Sequence, residues 1–405
     1  MDKETNNTTN QQSAKTEEKS SVSQKRSKII LVVLACLIVS FFGGWVGGFV
    51  RVSHQDYFTE RKDQTETARQ IVTEEGQLIS SIASDVGPSV VSINVVSQPS
   101  EGGFFGLQTP GQQSAGTGFI ISEDGYIVTN RHVLPENATD ITITLDDGTE
   151  LDDIEIVGRT NPNDTLDIAF LRINDNEGKD LQPVALGDSS ESEVGEMVVA
   201  IGNALGQFQN TVTSGILSGY GRDLRAQGSS GVETLQNLFQ TDAAINQGNS
   251  GGPLVNANGE VIAVNTAVAG GDAENIGFAI PINDVKGLIE SVLERGVLER
   301  PYLGVRYVML TNDLARQFEL DQNRGAYIVP PSAGQSSIQP DSPADRADLQ
   351  EGDIIISVDD IEMDERNSLA SALGRKSVGD TVTLTIIRDG SEQTVDVTLE
   401  ALPQD

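Results

Sequence analysis

A chain of 405 residues is long enough for two or three folded units, each with a core of its own. Its 60 acidic residues against 27 lysines and arginines give a formal net charge of −33, which argues against nucleic acid or anionic lipid as a partner gripped by a broad basic face. The single cysteine, Cys36, excludes an intramolecular disulfide and a multi-cysteine metal site.

Residues 1–28 are rich in Asn, Thr, Gln, Ser, Lys and Glu and offer almost nothing to bury, so a disordered tail is expected. Lys25, Arg26 and Lys28 then precede residues 29–50, an uncharged run long enough to cross a bilayer core as one helix. The basic flank puts the tail in the cytoplasm and everything after Arg51 outside. The length of the run, and the lack of an A-x-A-like site after it, favour a span over a cleaved signal peptide. Gly43/Gly47 and Gly44/Gly48 make overlapping GxxxG spacings that allow helices to pack. Residues 51–77 read as a polar tether with a few apolar positions for a short helix.

From Ile79 the pattern becomes short strands separated by Gly, Asp and Asn: VVSINVV, GTGFIIS, YIVT, DITITL, IEIVG, IAFLRI, MVVAIGN, GILSGYG, GEVIAVNTAV and IGFAIPI. Many short strands with turn signals predict an all-β barrel or sandwich. Within this region DAAINQGNSGGPL crowds Gly248, Gly251 and Gly252 around Ser250, a composition that lets amide N–H groups approach a ligand atom closely. Taken alone, such a cluster is a turn. A serine nucleophile also needs a base, and the chain has two histidines. His54 lies in aperiodic polar sequence. His132 follows a hairpin, with residues 116–122 as one strand, Glu123-Asp124-Gly125 as the turn and residues 126–129 as the returning strand, so it leaves a fixed scaffold. The carboxylate that would orient it is Asp167, at the entrance to the apolar strand in NDTLDIAFLRI, with Asp164 as the fallback if the register is shifted.

GTGFIISEDGYIVTNRHVL, NDTLDIAFLRI, VVAIGNALG, SGILSG, QTDAAINQGNSGGPL and NIGFAIPI, in this order, resemble the HtrA/DegP family of trypsin-like serine proteases. The resemblance implies a mainly β protein: two six-stranded barrels with the site between them over residues 78–297, then a PDZ domain over 298–405. It implies a triad of His132, Asp167 and Ser250 and an oxyanion hole at Gly248, Asn249 and Ser250. It also implies a homotrimer, with Phe104 and Phe105 in a glycine-containing loop at 102–115 available for trimer contacts and a second loop at 221–231. The family usually has Pro at the positions of Gln247 and Ala204, and Gly at that of Asp348.

A trypsin-like cleft would pair substrate as an added strand beside Asn265, Thr266 and Ala267, with Ile276, Gly277 and Phe278 completing the S1 walls. No fixed charge stands among them, so a small or medium apolar P1 residue is expected; Asp242 is read as part of the structural frame. Residues 282–298 have helical apolar spacing. Tyr302-Leu303-Gly304-Val305 resembles a PDZ carboxylate-binding loop, with residues 330–339 as a loop near the groove. The expectation is a membrane-anchored, ATP-independent serine endopeptidase, facing the extracytoplasmic side, that cuts misfolded or unstructured polypeptides and binds peptide C-termini. No cofactor, metal or nucleic acid is implied. The alternatives are a peptide-binding scaffold with a vestigial protease, or a signalling protease with one membrane partner.

Overall fold

The computed structural model describes residues 31–45, 74–97, 113–161, 164–204, 208–228, 231–246, 248–268, 276–330, 334–364 and 366–402. The chain divides into two units, residues 1–76 and 77–405. In the first unit residues 31–45 are helix, and Leu31, Leu34, Leu37, Ile38, Phe41, Phe42 and Trp45 are exposed along it. Among the described residues no helix is long and apolar enough to cross a membrane. The span expected over 29–50 thus lies partly outside the described residues, as do most of the tether and Phe104 and Phe105.

Residues 74–86 form a helix, where strands were expected from Ile79. Ile79, Ile82 and Val86 recur at helical spacing, and the last two are buried. A 3-10 turn at Gly87–Ser89 then feeds β1 (Val90–Ser97). The strands β2 (Gln113–Ile120), β3 (Tyr126–Thr129), β4 (Ala138–Thr144), β5 (Glu150–Leu151), β6 (Ile154–Arg159) and β7 (Ala169–Ile173) follow. All pairings are antiparallel, in the order β5-β4-β1-β2-β3-β7-β6. Among the described residues this half is therefore a seven-stranded sheet rather than the expected closed six-stranded barrel: the two-residue β5 adds a strand beyond β4, and the end strands β5 and β6 do not pair with each other.

The second half meets the expectation. Its strands β8 (Met197–Ala204), β9 (Phe208–Gly228), β10 (Gly231–Thr241), β11 (Pro253–Val255), β12 (Val261–Val268) and β13 (Gly277–Pro281) close into a barrel in the order β10-β13-β12-β11-β8-β9. The loop expected at 221–231 is instead the end of the long β9–β10 hairpin, with Leu224 opposite Leu235 and Gly228 opposite Gly231. Its polar, glycine-containing sequence reads as a loop locally; cross-strand pairing makes it a ladder. One core joins the halves, with Phe119, Val128, Ile168 and Phe170 packed together with Val199, Ile201, Val264 and Ile280. The seam between them is therefore closely packed.

A junction helix, Asn283–Arg295, adds Val285, Leu288, Ile289 and Val292 to that core and ends at Gly296 with φ +69°. Beyond it, β14 (Pro301–Tyr302) pairs with β21 (Glu400–Ala401). The strands β15 (Tyr307–Met309), β16 (Ala326–Ile328), β17 (Ile354–Val358), β19 (Thr381–Arg388) and β20 (Ser391–Thr398) form one sheet in that order, with β18 (Ile361–Glu362) on β17. Asp348 holds φ +56°, the left-handed region, which accounts for the glycine usual there. A groove helix, Leu369–Gly374, packs on the junction helix at two glycines: a Cβ on Gly287 would lie 2.4 Å from the Gly374 carbonyl oxygen.

Buried in this junction, Asp284 accepts a hydrogen bond from Asn237 Nδ2 at 2.9 Å. Burial raises its carboxyl from 3.8 to about 6, against the opposing pull of Asn237, Ser371 and Arg375. The raised value means that its stabilising contribution is complete below pH 3.8 and is lost as pH rises through about 6. Asp284→Asn is therefore expected to raise the unfolding temperature at pH 8, by an amount equivalent to about 3 kcal/mol, and to leave it unchanged at pH 4. Thermal melts at the two pH values check this; an equal effect at both contradicts it.

Candidate active site

Asp167 stands two residues before β7, at the seam, and is only 2% exposed. His132 lies in the 3-10 turn Arg131–Val133 that follows β3, the strand hydrogen-bonded to β7. That adjacency brings the two side chains together. His132 Nδ1 is 2.5 Å from Asp167 Oδ2, and the His132 backbone N–H donates to Oδ1 at 3.0 Å. The Thr266 hydroxyl, from β12 of the other half, donates to Oδ2 at 3.0 Å. Arg131 is buried with its Nε 3.9 Å from Oδ1, while its Nη1 donates to the Asn161 and Leu166 carbonyls. Burial by itself would raise the Asp167 carboxyl, but the charge and hydrogen bonds of His132, with Arg131 behind them, outweigh it and hold the group below its ordinary value. A carboxylate held ionised in this way makes Nδ1 of His132 the donor, and the His132 side chain is 37% exposed.

The Ser250 loop docks on the same hairpin. Thr117 of β2 makes the joint: its N–H donates to the Ser250 carbonyl at 3.0 Å, its hydroxyl to the Gly248 carbonyl at 2.5 Å, and its own carbonyl accepts from Thr129 Oγ1 at 2.7 Å. Gly251, at φ +84°, sits so close that a Cβ would lie 2.2 Å from the Thr117 carbonyl and 3.1 Å from Asn130 N, two residues from His132. Among the described residues Ser250 Oγ makes one hydrogen bond, to the Asn246 carbonyl at 3.5 Å. The hydroxyl thus leans toward Asn246 in this conformer.

Gly248 holds φ +129°, and neither its N–H nor that of Ser250 donates to any described residue. Asn249 differs from expectation. Its N–H is spent on the Asn246 carbonyl at 3.1 Å, and its side chain ties Asn246 N to the Ala244 carbonyl, so it braces the loop instead of offering a donor. Gln247 lies outside the described residues.

The expected substrate edge is narrower than the sequence suggests. Asn265 has both backbone groups committed, its N–H to the Gly252 carbonyl and its carbonyl to the Gly251 N–H, and is fully buried. A register break between Asn265 and Ala267 leaves Thr266 as a bulge, with its backbone outside the β12–β13 ladder. Ile276 is half-buried, Phe278 is buried, and Gly277 abuts Ile245. Asp242 accepts from the Ile216 N–H at 2.7 Å, a frame contact. Asp164, the fallback, points elsewhere and forms an ion pair with Arg300.

In the second domain Gly304 has φ +92°, and the Leu303 and Gly304 carbonyls are turned onto Ala344 N and Gln339 N. The N–H groups of Leu303, Gly304 and Val305 donate to no described residue. They stand near β15, which forms the free edge of its sheet. Of the loop expected near the groove, Ser337 and Gln339 hydrogen-bond to Arg306 and Gly304.

The sequence matches the trypsin-like peptidase domain family over residues 116–264 and the PDZ domain family over 301–399. The serine protease Do-like HtrA of Bacillus subtilis (strain 168) is 38% identical over 350 residues, which cover 81% of this chain and 74% of that protein. The chain belongs to the HtrA family of serine proteases. The periplasmic serine endoprotease DegP of Escherichia coli (strain K12) is 39% identical over 310 residues, 76% of this chain and 61% of DegP. A probable DegP-like endoprotease of Bartonella henselae is 39% identical over 292 residues, so this HtrA chain spans about half the length of that relative, 54%. Among solved structures, the HtrA-type protease AlgW with decapeptide covers 81% of this chain and 99% of its own at 31% identity and a TM-score of 0.54.

Three residues around the site of this HtrA chain escape sequence reasoning. Arg131 is adjacent to the histidine but looks like a surface cation. Thr117 is hidden in a strand. Thr266 was expected beside substrate, and its hydroxyl instead holds Asp167. A hydrogen bond to a charged acceptor contributes about 1.5–3 kcal/mol, so Thr266→Val is expected to lower peptidase kcat/KM at least ten-fold with the fold intact. Circular dichroism and casein kinetics measured together check this; an unchanged rate contradicts the role.

Proposed function

We propose that this chain is a membrane-tethered, ATP-independent serine endopeptidase that cuts misfolded or unstructured polypeptides on the extracytoplasmic side. The observation that carries the reading is the buried Asp167 carboxylate bonded at once to His132 and Thr266, beside a docked serine loop with two uncommitted amides. For attack the Ser250 hydroxyl leaves the Asn246 carbonyl and turns to the outer ring nitrogen of His132, a change between staggered rotamers. The imidazole accepts the hydroxyl proton as the oxygen attacks the peptide carbonyl, then passes it to the leaving amine. Asp167 stays ionised and stabilises the imidazolium between those steps. The Gly248 and Ser250 N–H groups receive the oxyanion, where loss of one donor typically costs about 2.7–4 kcal/mol. Water repeats the sequence on the acyl-enzyme. These side chains and amides supply every proton and charge that hydrolysis requires.

An extended backbone suits this site. The Thr266 bulge leaves main-chain groups for an added substrate strand, and Ile245, Ile276 and Phe278 favour an apolar P1 side chain. In the second domain the Leu303, Gly304 and Val305 amides hold a peptide C-terminal carboxylate while the peptide adds to β15. AlgW, solved with a decapeptide, supports a peptide-binding module. Tethering rests on the apolar helix at residues 31–45 and on the basic residues before it. Trimer formation rests on family resemblance, and peptide docking on the PDZ module is the proposed trigger that sets the oxyanion loop.

Digestion of unfolded casein by the full chain in detergent micelles tests the reading. The chain degrades casein without ATP, Ser250→Ala abolishes this, and a peptide that occupies the PDZ module raises the rate. Casein cleavage that survives Ser250→Ala overturns the enzyme assignment; a rate indifferent both to PDZ peptide and to deletion of residues 300–405 overturns the regulatory part alone.

A further inference from the structure

Residues 164–167 lead into β7 and deliver Asp167, and they are held from two directions. From within the protease domain, the Leu166 carbonyl accepts from Arg131 Nη1 at 2.9 Å and from Thr160 Oγ1 at 2.7 Å, and the Asp167 carbonyl accepts from Asn130 Nδ2 at 2.9 Å. From outside comes Arg300. Its guanidinium pairs with Asp164 Oδ1, and the same oxygen accepts the Leu166 N–H at 3.3 Å. Leu166, the residue before Asp167, thus has its carbonyl fixed by Arg131 and its N–H fixed by an oxygen that Arg300 holds. Among the described residues Arg300 is the one cation paired with the buried Asp164. Arg300 is itself well placed. Ser291 of the junction helix accepts the Glu299 N–H at 3.2 Å and donates to the Val297 carbonyl at 2.8 Å, and a Cβ on Gly158 of β6 would lie 2.6 Å from Leu298 Cβ, so the linker is pressed onto the protease domain. The Arg300 carbonyl then accepts the Leu402 N–H at 2.9 Å, beside the β14–β21 pair. Arg300 is therefore bonded to the protease domain through its side chain and to the PDZ domain through its backbone.

A buried carboxylate with one cationic partner stays where it is because of that partner; without it the ionised group is driven toward water. Asp164 cannot make that move and keep the Leu166 N–H. Net stability is a weak reason for a buried ion pair, since well-packed apolar residues often serve as well, and a fixed conformation is what this pair supplies. We propose that Arg300 is a positioning residue for the catalytic triad: by fixing Asp164 it fixes Leu166, and so sets the place from which Asp167 meets His132. This rests on the assignment of Asp167 as the triad carboxylate and deepens it, because the geometry of the triad then depends on a residue whose backbone the PDZ domain holds. Tolerance at the site is small. His132 Nδ1 lies 2.5 Å from Asp167 Oδ2, and a misplacement of about 1 Å caused by a change far from the chemistry can slow a reaction about a hundred-fold. Asp164, Thr165 and Arg300 also line one cavity of about 740 Å³ with Leu303, Gly304 and Val305, so displacement of the second domain reaches the triad along this route.

The test uses the full chain in detergent micelles and reads the rate at which a fluorophosphonate labels Ser250, which needs no docked polypeptide, together with kcat and KM on casein. Arg300→Met and Asp164→Ala are each expected to slow labelling and kcat about ten-fold, with KM within about two-fold, and the two together to slow them no further than either alone. Arg300→Met combined with Asp164→Asn is expected to recover both rates to within about three-fold of the parent chain, because a neutral carboxamide has no drive toward water and still accepts the Leu166 N–H. A bridge that only holds the two domains together predicts the opposite, since this combination does not restore the ion pair. If circular dichroism shows that Arg300→Met fails to fold, Asp164→Ala is compared with Arg300→Lys, which keeps the charge and is expected to stay within about three-fold of the parent. Labelling of Arg300→Met or Asp164→Ala at the parent rate, a change confined to KM, or a loss in Arg300→Met that Asp164→Asn does not relieve, overturns the positioning role and leaves the triad standing. A parent chain that is not labelled at Ser250 overturns the triad assignment itself.

Discussion

The structure depends on one buried negative charge. Asp167 is taken out of water at the seam of two β halves, where an isolated carboxylate would protonate, and it remains ionised because donors converge on it from both sides. His132 and Arg131 come from the turn after β3, and Thr266 comes from the barrel. Neither half alone supplies all of these partners. Closure of the shared core around Phe119, Phe170, Ile201 and Ile280 is thus also what completes the electrostatics of the site.

Position of the nucleophile is a separate problem, solved by close approach. Thr117 fastens the carbonyls of Ser250 and Gly248 to β2, which turns the N–H groups of those residues away from the sheet's own hydrogen bonding. Gly251 allows the loop to lie on Thr117 and Asn130 at a distance no side chain tolerates. The glycine-rich composition is therefore required by a tertiary contact as well as by local turn geometry. Where the loop is braced from within, Asn249 does it, and its amide is spent in the process.

Local signals in the sequence carry much of this arrangement. YIVT coincides with β3, the Glu123-Asp124-Gly125 turn closes with Gly125 N–H on the Ser122 carbonyl, and Asp167 stands before β7 as its strand-entrance position implied. His132 was accessible because the chain has two histidines and only one follows a scaffold. Elsewhere the deciding interaction is distant in sequence. The polar end of the β9–β10 hairpin is a ladder only because its two arms meet, and residues 74–86 are helix because Ile82 and Val86 find a core far along the chain. Arg131, Thr117 and Thr266 act through partners up to about a hundred and thirty residues away, for which no local spacing exists. Nothing local in the helical spacing of residues 282–298 singles out Asp284, whose burial follows from the packing of Gly287 on Gly374.

The protease and PDZ domains thus meet through close glycine packing and an incompletely bonded acid, a junction that carries an electrostatic cost at neutral pH. The hydrolytic centre carries none of that ambiguity, and its claim is simple: one serine is reactive because one histidine, held by one carboxylate, makes it so. Labelling by a fluorophosphonate, with the modified residue located by mass spectrometry, measures this most directly. The account predicts a single label on Ser250, lost in His132→Ala and slowed by about three orders of magnitude or more in Asp167→Asn. A label on another serine, or a Ser250 label whose rate is indifferent to His132→Ala, would contradict it.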